Sequence, residues 1–265
     1  MGTRSGRTTR IAGWTLLAVV LVWTYLPFAT LALYAFHDNL FFSFPIKPTG
    51  KWFVEIFTDS QLLGVLTYSL TKSVVAAALA TVVAIPGAIA YARCSFPGIT
   101  LYKRLVLLPI FFPQLVLGIG ILVFLHQFEI LPSTATVILG ECVLLTPIAL
   151  LVVSIQILGY SPEMEKAAED LGSGKWRVFR TITFPLIAPG VFAGFLFAFT
   201  LSWSDFYIDL YADSSATLSP WIYGHMKQGF SPEIPAVSVL AVAISLVALT
   251  IAVPLLFRHM SALKS

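Results

Sequence analysis

Six long stretches with few or no charged residues constrain the fold of this chain more than any other feature. Each is long enough to cross a bilayer as a helix, which takes about 20 residues. Lys72 is the only charge in the second stretch and Glu141 the only charge in the fourth. We therefore predict an all-α membrane protein with six transmembrane helices, over residues 11–36, 62–92, 105–125, 135–158, 181–204 and 234–257.

The composition excludes several other classes of protein. Only 11% of the 265 residues are charged and 58% are hydrophobic, whereas soluble domains are about 25% charged. A chain with so little polar surface cannot cover a water-soluble globule of this size. This argues against a soluble enzyme, a disordered chain and a nucleic-acid-binding protein. The first stretch is also longer than the core of a signal peptide, so we expect it to remain as a helix.

The basic residues predict the orientation of the helices. With the N-terminus inside, 12 of the 16 Lys and Arg residues fall in cytoplasmic segments, as the positive-inside rule requires. We predict short surface helices in two long outer loops, at residues 38–61 and 206–233. The predicted segments begin with a cytoplasmic N-terminus at 1–10, a first helix at 11–36 and an outer loop at 37–61. A five-helix core follows at 62–257, with a cytoplasmic loop at 159–184, and the chain continues into a cytoplasmic C-terminus at 258–265.

The cytoplasmic loop at 159–184 carries the signals of a short helix. Ser161 is a good N-cap, Pro162 suits the first helical position, and Glu163 suits the positive end of the helix dipole. Residues 164–171 then place small and apolar side chains on one face, and Gly172 can end the helix. A short helix held between two spans is suited to docking into a partner's groove. An ordinary interfacial helix is the alternative.

The same loop resembles a motif of the inner-membrane permease subunits of bacterial ABC importers. That motif reads EAA, three residues, Gly, nine residues, and then I-x-L-P. Lys166 stands where the family has its glutamate, with Glu165 one residue earlier, and Phe184 replaces the leucine. The matching positions in this chain are Ala167, Ala168, Gly172, Ile182 and Pro185.

The resemblance implies a membrane permease subunit in which the loop at 159–184 is a coupling loop, joined to an ATPase through these matching positions and Glu165. It implies a bacterial inner-membrane location, a second homologous permease subunit, two ATPase subunits and an extracytoplasmic substrate-binding protein. The first helix would then wrap the second permease. ATP and Mg would bind the ATPase subunits. Residues 172–175 read GSGK, but the phosphate-binding pattern GxxxxGK[ST] fails because Trp176 follows the lysine. We predict no catalytic residue, metal or cofactor in this chain.

The end of the fifth stretch resembles the spermidine/putrescine branch of these permeases. That branch shows FTLS-x-DD-F, then LP-x-x-IY and G-x-SPE. Here Ser204 replaces the first acid, Asp205 is the second, and the LP pair is altered to the sequence LSP at 218–220. The resemblance implies transport of a polyamine or related small cation. The branch also includes iron, thiosulfate, opine and phosphonate permeases.

Asp205 and Glu141 are the two acids predicted to lie within or at the edge of the membrane, where a charge is costly and indicates function. Trp203, Phe206 and Tyr207 flank Asp205, and acids beside aromatic faces suit an ammonium group. We predict a substrate pathway along these five residues.

Structural roles are the alternatives for both acids. Asp205 could hydrogen-bond at a helix end or between helices, and Glu141 could pair with Lys72 or a threonine across the bundle. Lys72 itself is expected to extend its ammonium group to the outer surface.

Nine of the 13 acids lie outside or within the membrane in this topology. They indicate either a pathway that attracts a cation or an ordinary solvated outer surface. A sugar or an anion is the alternative solute. A free-standing secondary carrier or a membrane enzyme is the alternative class. Carriers usually contain repeated halves, and none is visible in this sequence.

Overall fold

The computed structural model describes residues 3–38, 47–212, 217–229, 231 and 233–262, and helices make up nearly all of this part of the chain. A short 3-10 helix lies at Leu108–Phe111, and a π-helical turn lies at Phe179–Thr183. The α-helices are α1 Thr3–Ala35, α2 Lys51–Thr58, α3 Ser60–Arg93, α4 Ile99–Leu105, α5 Gln114–Gln127, α6 Thr134–Leu158, α7 Glu163–Asp170, α8 Lys175–Val178, α9 Phe184–Trp203, α10 Tyr207–Ala212, α11 Leu218–Gln228 and α12 Glu233–Ala262.

Five of the described helical segments are long and apolar enough to cross a membrane: Thr9–Ala35, Ser60–Arg93, Thr134–Leu158, Lys175–Trp203 and Glu233–Thr250. A bent pair, Ile99–Phe111 with Gln114–Gln127, brings the number to six if it counts as one span. The all-α membrane architecture predicted from the sequence is thereby confirmed.

The third predicted span is not the continuous helix expected over residues 105–125. Its two parts meet at an angle of 102°. Pro113 is the N-cap of α5 and has an extended ψ of 133°. Because proline has no N–H to donate and disfavours helical geometry in the residue before it, the helix stops at Phe111 and restarts at Gln114.

The chain forms two compact units. The first comprises Met1–Leu63 and Gly224–Ile244 and includes α1 and α2. The described side chains of α1 from residue 9 to residue 30 are all exposed. The second comprises Gly64–Tyr223 and Ser245–Ser265, and it contains the candidate site.

Close packing of α6 against α9 forms the core of the second unit. A Cβ atom at Gly190 would lie 2.5 Å from Gln156 Cβ, a distance that real side chains do not show. Gln156 Nε2 in turn donates to the Leu186 carbonyl at 3.0 Å. Small residues at such crossings let membrane helices approach closely. A cluster of buried apolar residues joins α3, α6 and α9 in this unit: Ala84, Ala88, Ala149, Leu150, Val153, Ile157 and Ile187.

Short helices are present in both predicted outer loops, as expected, but they are not all surface helices. In α10, Ile208, Asp209 and Ala212 are buried. Ile208 and Ala212 pack with Leu125 and Val137. The helix lies inside the second unit because its apolar residues at 208 and 212 are four apart and share one face.

Candidate functional site

A buried lysine lies at the centre of a charge network in the second unit. Lys72 Nζ donates to Glu141 Oε1 at 2.7 Å and to Asp209 Oδ1 at 2.8 Å. It also donates to the Ser202 carbonyl at 3.3 Å, and the Ser202 hydroxyl donates to Glu141 Oε2 at 2.6 Å. Lys72 is 2% exposed and Glu141 is 1% exposed. The network therefore joins α3, α6, α9 and α10 through charged groups shielded from solvent.

Asp205 is the third carboxylate at this position. Carboxylate oxygens of Glu141, Asp205 and Asp209 lie within 4.8 Å of one another. Asp205 Oδ1 accepts from the backbone N–H groups of Ile208 at 2.9 Å and Asp209 at 3.3 Å. Asp205 therefore caps the first turn of α10, the helix that carries Asp209.

The structure brings Asp205 and Glu141 together, and the three predicted aromatic residues contact other aromatic rings. Trp203 is buried and stacks on Phe199, with ring centroids 6.3 Å apart. Phe206 packs edge-on against Tyr207 at 5.2 Å and Tyr223 at 5.1 Å. These contacts do not test the expectation that the rings flank the acid as a binding surface, and it stays a prediction.

The prediction for Lys72 is wrong. Its ammonium group does not reach the outer surface, because two carboxylates and a backbone carbonyl hold it inside the unit. The sequence analysis also missed Asp209 and Ser202. Asp209 follows Asp205 by four residues, with Asp205 just before α10 and Asp209 within it, and this closeness in the chain was the available signal. The pairing of Glu141 with Lys72 matches the structural alternative considered for that acid.

The coupling loop at 159–184 ends its helix through backbone hydrogen bonds that favour a glycine. Gly172 has a φ of +84°, and its N–H donates to the Glu169 carbonyl at 2.9 Å. Ser173 N–H donates to the Ala168 carbonyl at 3.0 Å. These two bonds form a Schellman motif, in which the residue after the helix takes the left-handed conformation. At the other end, the Ser161 hydroxyl accepts from Glu163 N–H at 3.2 Å, although Pro162 occupies the N-cap position.

Glu165 points into the protein rather than outward. Its Oε1 accepts from the Tyr160 hydroxyl at 2.8 Å and from Thr183 Oγ1 at 2.6 Å. Arg93 stacks over the Tyr160 ring at 4.6 Å and donates to the carbonyls of Ile157 at 2.8 Å and Tyr160 at 2.7 Å. The pKa of the Tyr160 phenol is raised mainly by burial and to a smaller extent by the hydrogen bond to Glu165. Tyr160 therefore stays protonated and remains a donor.

The remaining motif positions divide between the loop surface and the start of α9. Ala167 is exposed and Ala168 is half-buried on α7. Ile182 lies in the π-helical turn, and Pro185 lies in the first turn of α9. The apolar Leu171, 88% exposed, and Trp176, 73% exposed, project beside these positions.

The chain belongs to the family of binding-protein-dependent transport system inner membrane components, whose model matches residues 84–263. It is therefore a multi-pass inner-membrane permease subunit of an ABC importer. Permeases of this family work with an ATPase and a substrate-binding protein, and ATP hydrolysis takes place in the separate ATPase subunit.

Several curated relatives match most of the chain. It is 28% identical over 233 residues to the spermidine/putrescine transport system permease protein PotC of Escherichia coli (strain K12), covering 87% of this chain and 88% of PotC. It is 26% identical over 238 residues to the putrescine transport system permease protein PotI of the same strain, covering 86% and 85%. The molybdenum transport system permease protein ModB of that strain is 30% identical over 168 residues, covering 57% of this chain and 71% of ModB.

Solved importer structures share the fold. A bacterial ABC transporter involved in the import of the acidic polysaccharide alginate aligns with a TM-score of 0.75 and 16% identity, covering 96% of both chains. The MetNI methionine ABC transporter in inward-facing conformations aligns with a TM-score of 0.64 and 14% identity, covering 75% of this chain and 95% of that chain. At these identities the likeness extends to the fold alone.

Proposed function

We propose that this permease forms the passage for a polyamine or a related small cationic solute. The relatives named for spermidine and putrescine transport match 86% and 87% of the chain, whereas the molybdenum relative matches 57%. We assign the pathway to the buried carboxylates of Glu141 and Asp205, together with Asp209. Trp203, Phe206 and Tyr207 remain candidates for this pathway through their position in the chain.

The observation that carries this proposal is the charge balance of the buried network. Glu141, Asp205 and Asp209 provide three carboxylates, and Lys72 provides one ammonium group among them. When ionised, the group has an excess of negative charge in surroundings where screening by water and salt is weak. Such a group attracts a cation and repels an anion.

An oxyanion is the second candidate solute. It is favoured by the molybdenum relative, which at 30% has a higher identity than the polyamine relatives, although over fewer residues. An oxyanion would have to pass Glu141, Asp205 and Asp209, where only Lys72 carries positive charge. This electrostatic cost is why we place the cation first.

We infer that the full assembly contains a second homologous permease, two ATPase subunits that bind ATP and Mg, and an extracytoplasmic binding protein. The exposed side chains of Met164, Leu171 and Trp176 give the coupling loop an apolar surface for an ATPase groove. The exposed apolar length of α1 offers a surface for the second permease and for membrane lipid. In this arrangement both termini and the coupling loop face the cytoplasm.

Within the coupling loop, Glu165 acts as a positioning residue. Its carboxylate ties α7 to Tyr160, which follows α6, and to Thr183, which precedes α9. A movement of α7 on the ATPase would therefore reach both helices through one side chain. Lys166, in the place of the family glutamate, is exposed.

Replacing Glu165 with alanine is expected to loosen α7. Hydrogen bonds to a charged group contribute about 1.5–3 kcal/mol, so amide hydrogen exchange across residues 163–171 should accelerate by at least ~10-fold. The stimulation of ATP hydrolysis by loaded binding protein should fall several-fold. Glu165→Gln retains an acceptor and should be milder, and Glu169→Ala, at an exposed position of the same helix, is the control. Unchanged exchange in Glu165→Ala would show that these two hydrogen bonds do not position the helix.

A binding titration tests the solute assignment. The cognate binding protein should bind putrescine or spermidine, measured by calorimetry, and should not bind molybdate or a neutral sugar. Tight binding of molybdate with no response to either amine would replace the cationic proposal with the oxyanion one.

A further inference from the structure

Lys72 makes more contacts than a simple ion pair requires. Its ammonium donates to carboxylates from two separate helices, α6 and α10, and to a carbonyl of α9. It also meets the second oxygen of Asp209 at 3.1 Å. The ammonium group is thus coordinated on several sides by oxygen atoms, as a bound cation would be.

Its position also explains how three acids can lie so close together. Carboxylates within 4.8 Å of one another would repel strongly in surroundings of low dielectric. Removing one member of a buried ion pair is costly because the remaining charge has no partner. Lys72 supplies a positive charge that cannot diffuse away, because it is attached to α3.

The chemistry of Lys72 is that of the proposed solute. A lysine side chain carries a primary ammonium on a four-carbon stem, and a diamine such as putrescine ends in the same group. Oxygen atoms that accept hydrogen bonds from Lys72 at 2.7–2.8 Å are able to accept them from a solute ammonium in the same way.

We propose that Lys72 is a tethered competitor of the cationic solute: its ammonium occupies Glu141 and Asp209, and a solute ammonium has to exchange with it to pass. This inference rests on the proposed function. Exchange keeps the retention of the solute weak, because binding to these acids requires displacement of a resident cation at high effective concentration. A transport site has to release what it binds, and Lys72 provides that release.

The test uses the complete permease–ATPase complex, purified in detergent without binding protein, and measures equilibrium binding of radiolabelled putrescine. Lys72→Met keeps the side-chain length and removes the competitor. It should bind putrescine on the order of tenfold more tightly than the unmodified complex, while the maximal uptake rate in vesicles falls. A merely structural lysine would not produce tighter binding. The affinity of Lys72→Arg for putrescine should stay within a few-fold of that of the unmodified complex.

Two further variants keep the test independent of folding. Lys47→Met removes a lysine from an exposed position and should leave putrescine binding and uptake unchanged. Lys72→Met combined with Asp209→Asn removes one acid together with the competitor, so its putrescine binding should return towards that of the unmodified complex. Co-purification of all subunits and the thermal unfolding midpoint establish that each variant is assembled.

Each outcome is decisive. Tighter binding in Lys72→Met that is reversed by Asp209→Asn supports the competitor. Equal or weaker binding in Lys72→Met, with vesicle uptake of putrescine intact in the unmodified complex, overturns the role of Lys72 and leaves the proposed function standing. Absence of both putrescine binding and putrescine uptake in the unmodified complex overturns the cationic function and this inference with it.

Discussion

The variant Asp205→Asn should lose most of its solute uptake while its fold is retained. Asparagine keeps the oxygen that accepts from Ile208 and Asp209, so the cap of α10 is preserved and only the charge is removed. One carboxylate of the buried group is lost, and the attraction for a cation falls with it. Uptake of labelled putrescine into vesicles that contain the whole complex should fall on the order of tenfold, which corresponds to about 1.4 kcal/mol.

Two comparisons separate the charge of Asp205 from its capping role. Asp205→Ala removes both and should also destabilise α10, since loss of a cap costs about 0.5–2 kcal/mol. Asp59→Asn is the matched control. Asp59 Oδ1 accepts from the backbone N–H groups of Gln61 and Leu62 at the start of α3, and the Asp59 side chain is exposed. If Asp205→Asn transports normally and only Asp205→Ala fails, Asp205 is a structural cap and Glu141 becomes the principal candidate.

Replacing Gly172 with leucine should uncouple ATP hydrolysis from transport. The φ of +84° at Gly172 costs a residue with a Cβ atom about 1–2 kcal/mol, although no other atom lies within 4 Å of the added Cβ. The Schellman bonds to Ala168 and Glu169 should therefore open, and Leu171 should lose its fixed direction. We expect uptake to fall on the order of tenfold while the chain still inserts and assembles.

The same loop provides the controls for this variant. Gly174 has an ordinary φ of −67° and is exposed, so Gly174→Leu adds the same side chain without the backbone strain. Gly172→Asn should retain most of the activity, because asparagine tolerates the left-handed conformation. Normal uptake by Gly172→Leu, with the ATPase subunits bound, would show that the geometry of this turn is not needed for coupling.

The parts of this fold that depend on residues close together in the sequence could be predicted. The long apolar stretches indicated the spans because a bilayer sets the length of a helix. The capping signals between Glu163 and Gly172 predicted the helix of the coupling loop, because each of these signals acts within a few residues. The left-handed Gly172 confirms that reasoning.

The centre of the buried network could not be predicted in this way. Lys72 is 69 residues from Glu141 and 137 residues from Asp209 in the chain. Only the packing of α3, α6, α9 and α10 brings these residues into contact. A single lysine in an apolar stretch is equally consistent with an ammonium group at the surface and with a buried ion pair, and the choice depends on helix rotation that local patterns do not determine.

The sequence did not predict the bend before α5 or the burial of α10, and the reasons are related. Pro113 is one of several prolines in apolar stretches, and Pro86 and Pro147 lie within continuous helices. Whether a proline breaks a membrane helix depends on which neighbours satisfy the carbonyls that it frees. The inward position of α10 likewise depends on its contacts with Leu125 and Val137.

Uptake by the reconstituted complex tests the central claim most directly. Vesicles that contain both permeases and the ATPase subunits, with ATP inside and loaded binding protein outside, should accumulate labelled putrescine. Accumulation should stop when ATP or the binding protein is omitted, and labelled molybdate should not accumulate. Accumulation of molybdate without putrescine would contradict the assignment of a cationic solute to the buried acids, and putrescine uptake that needs neither ATP nor binding protein would contradict the coupling mechanism.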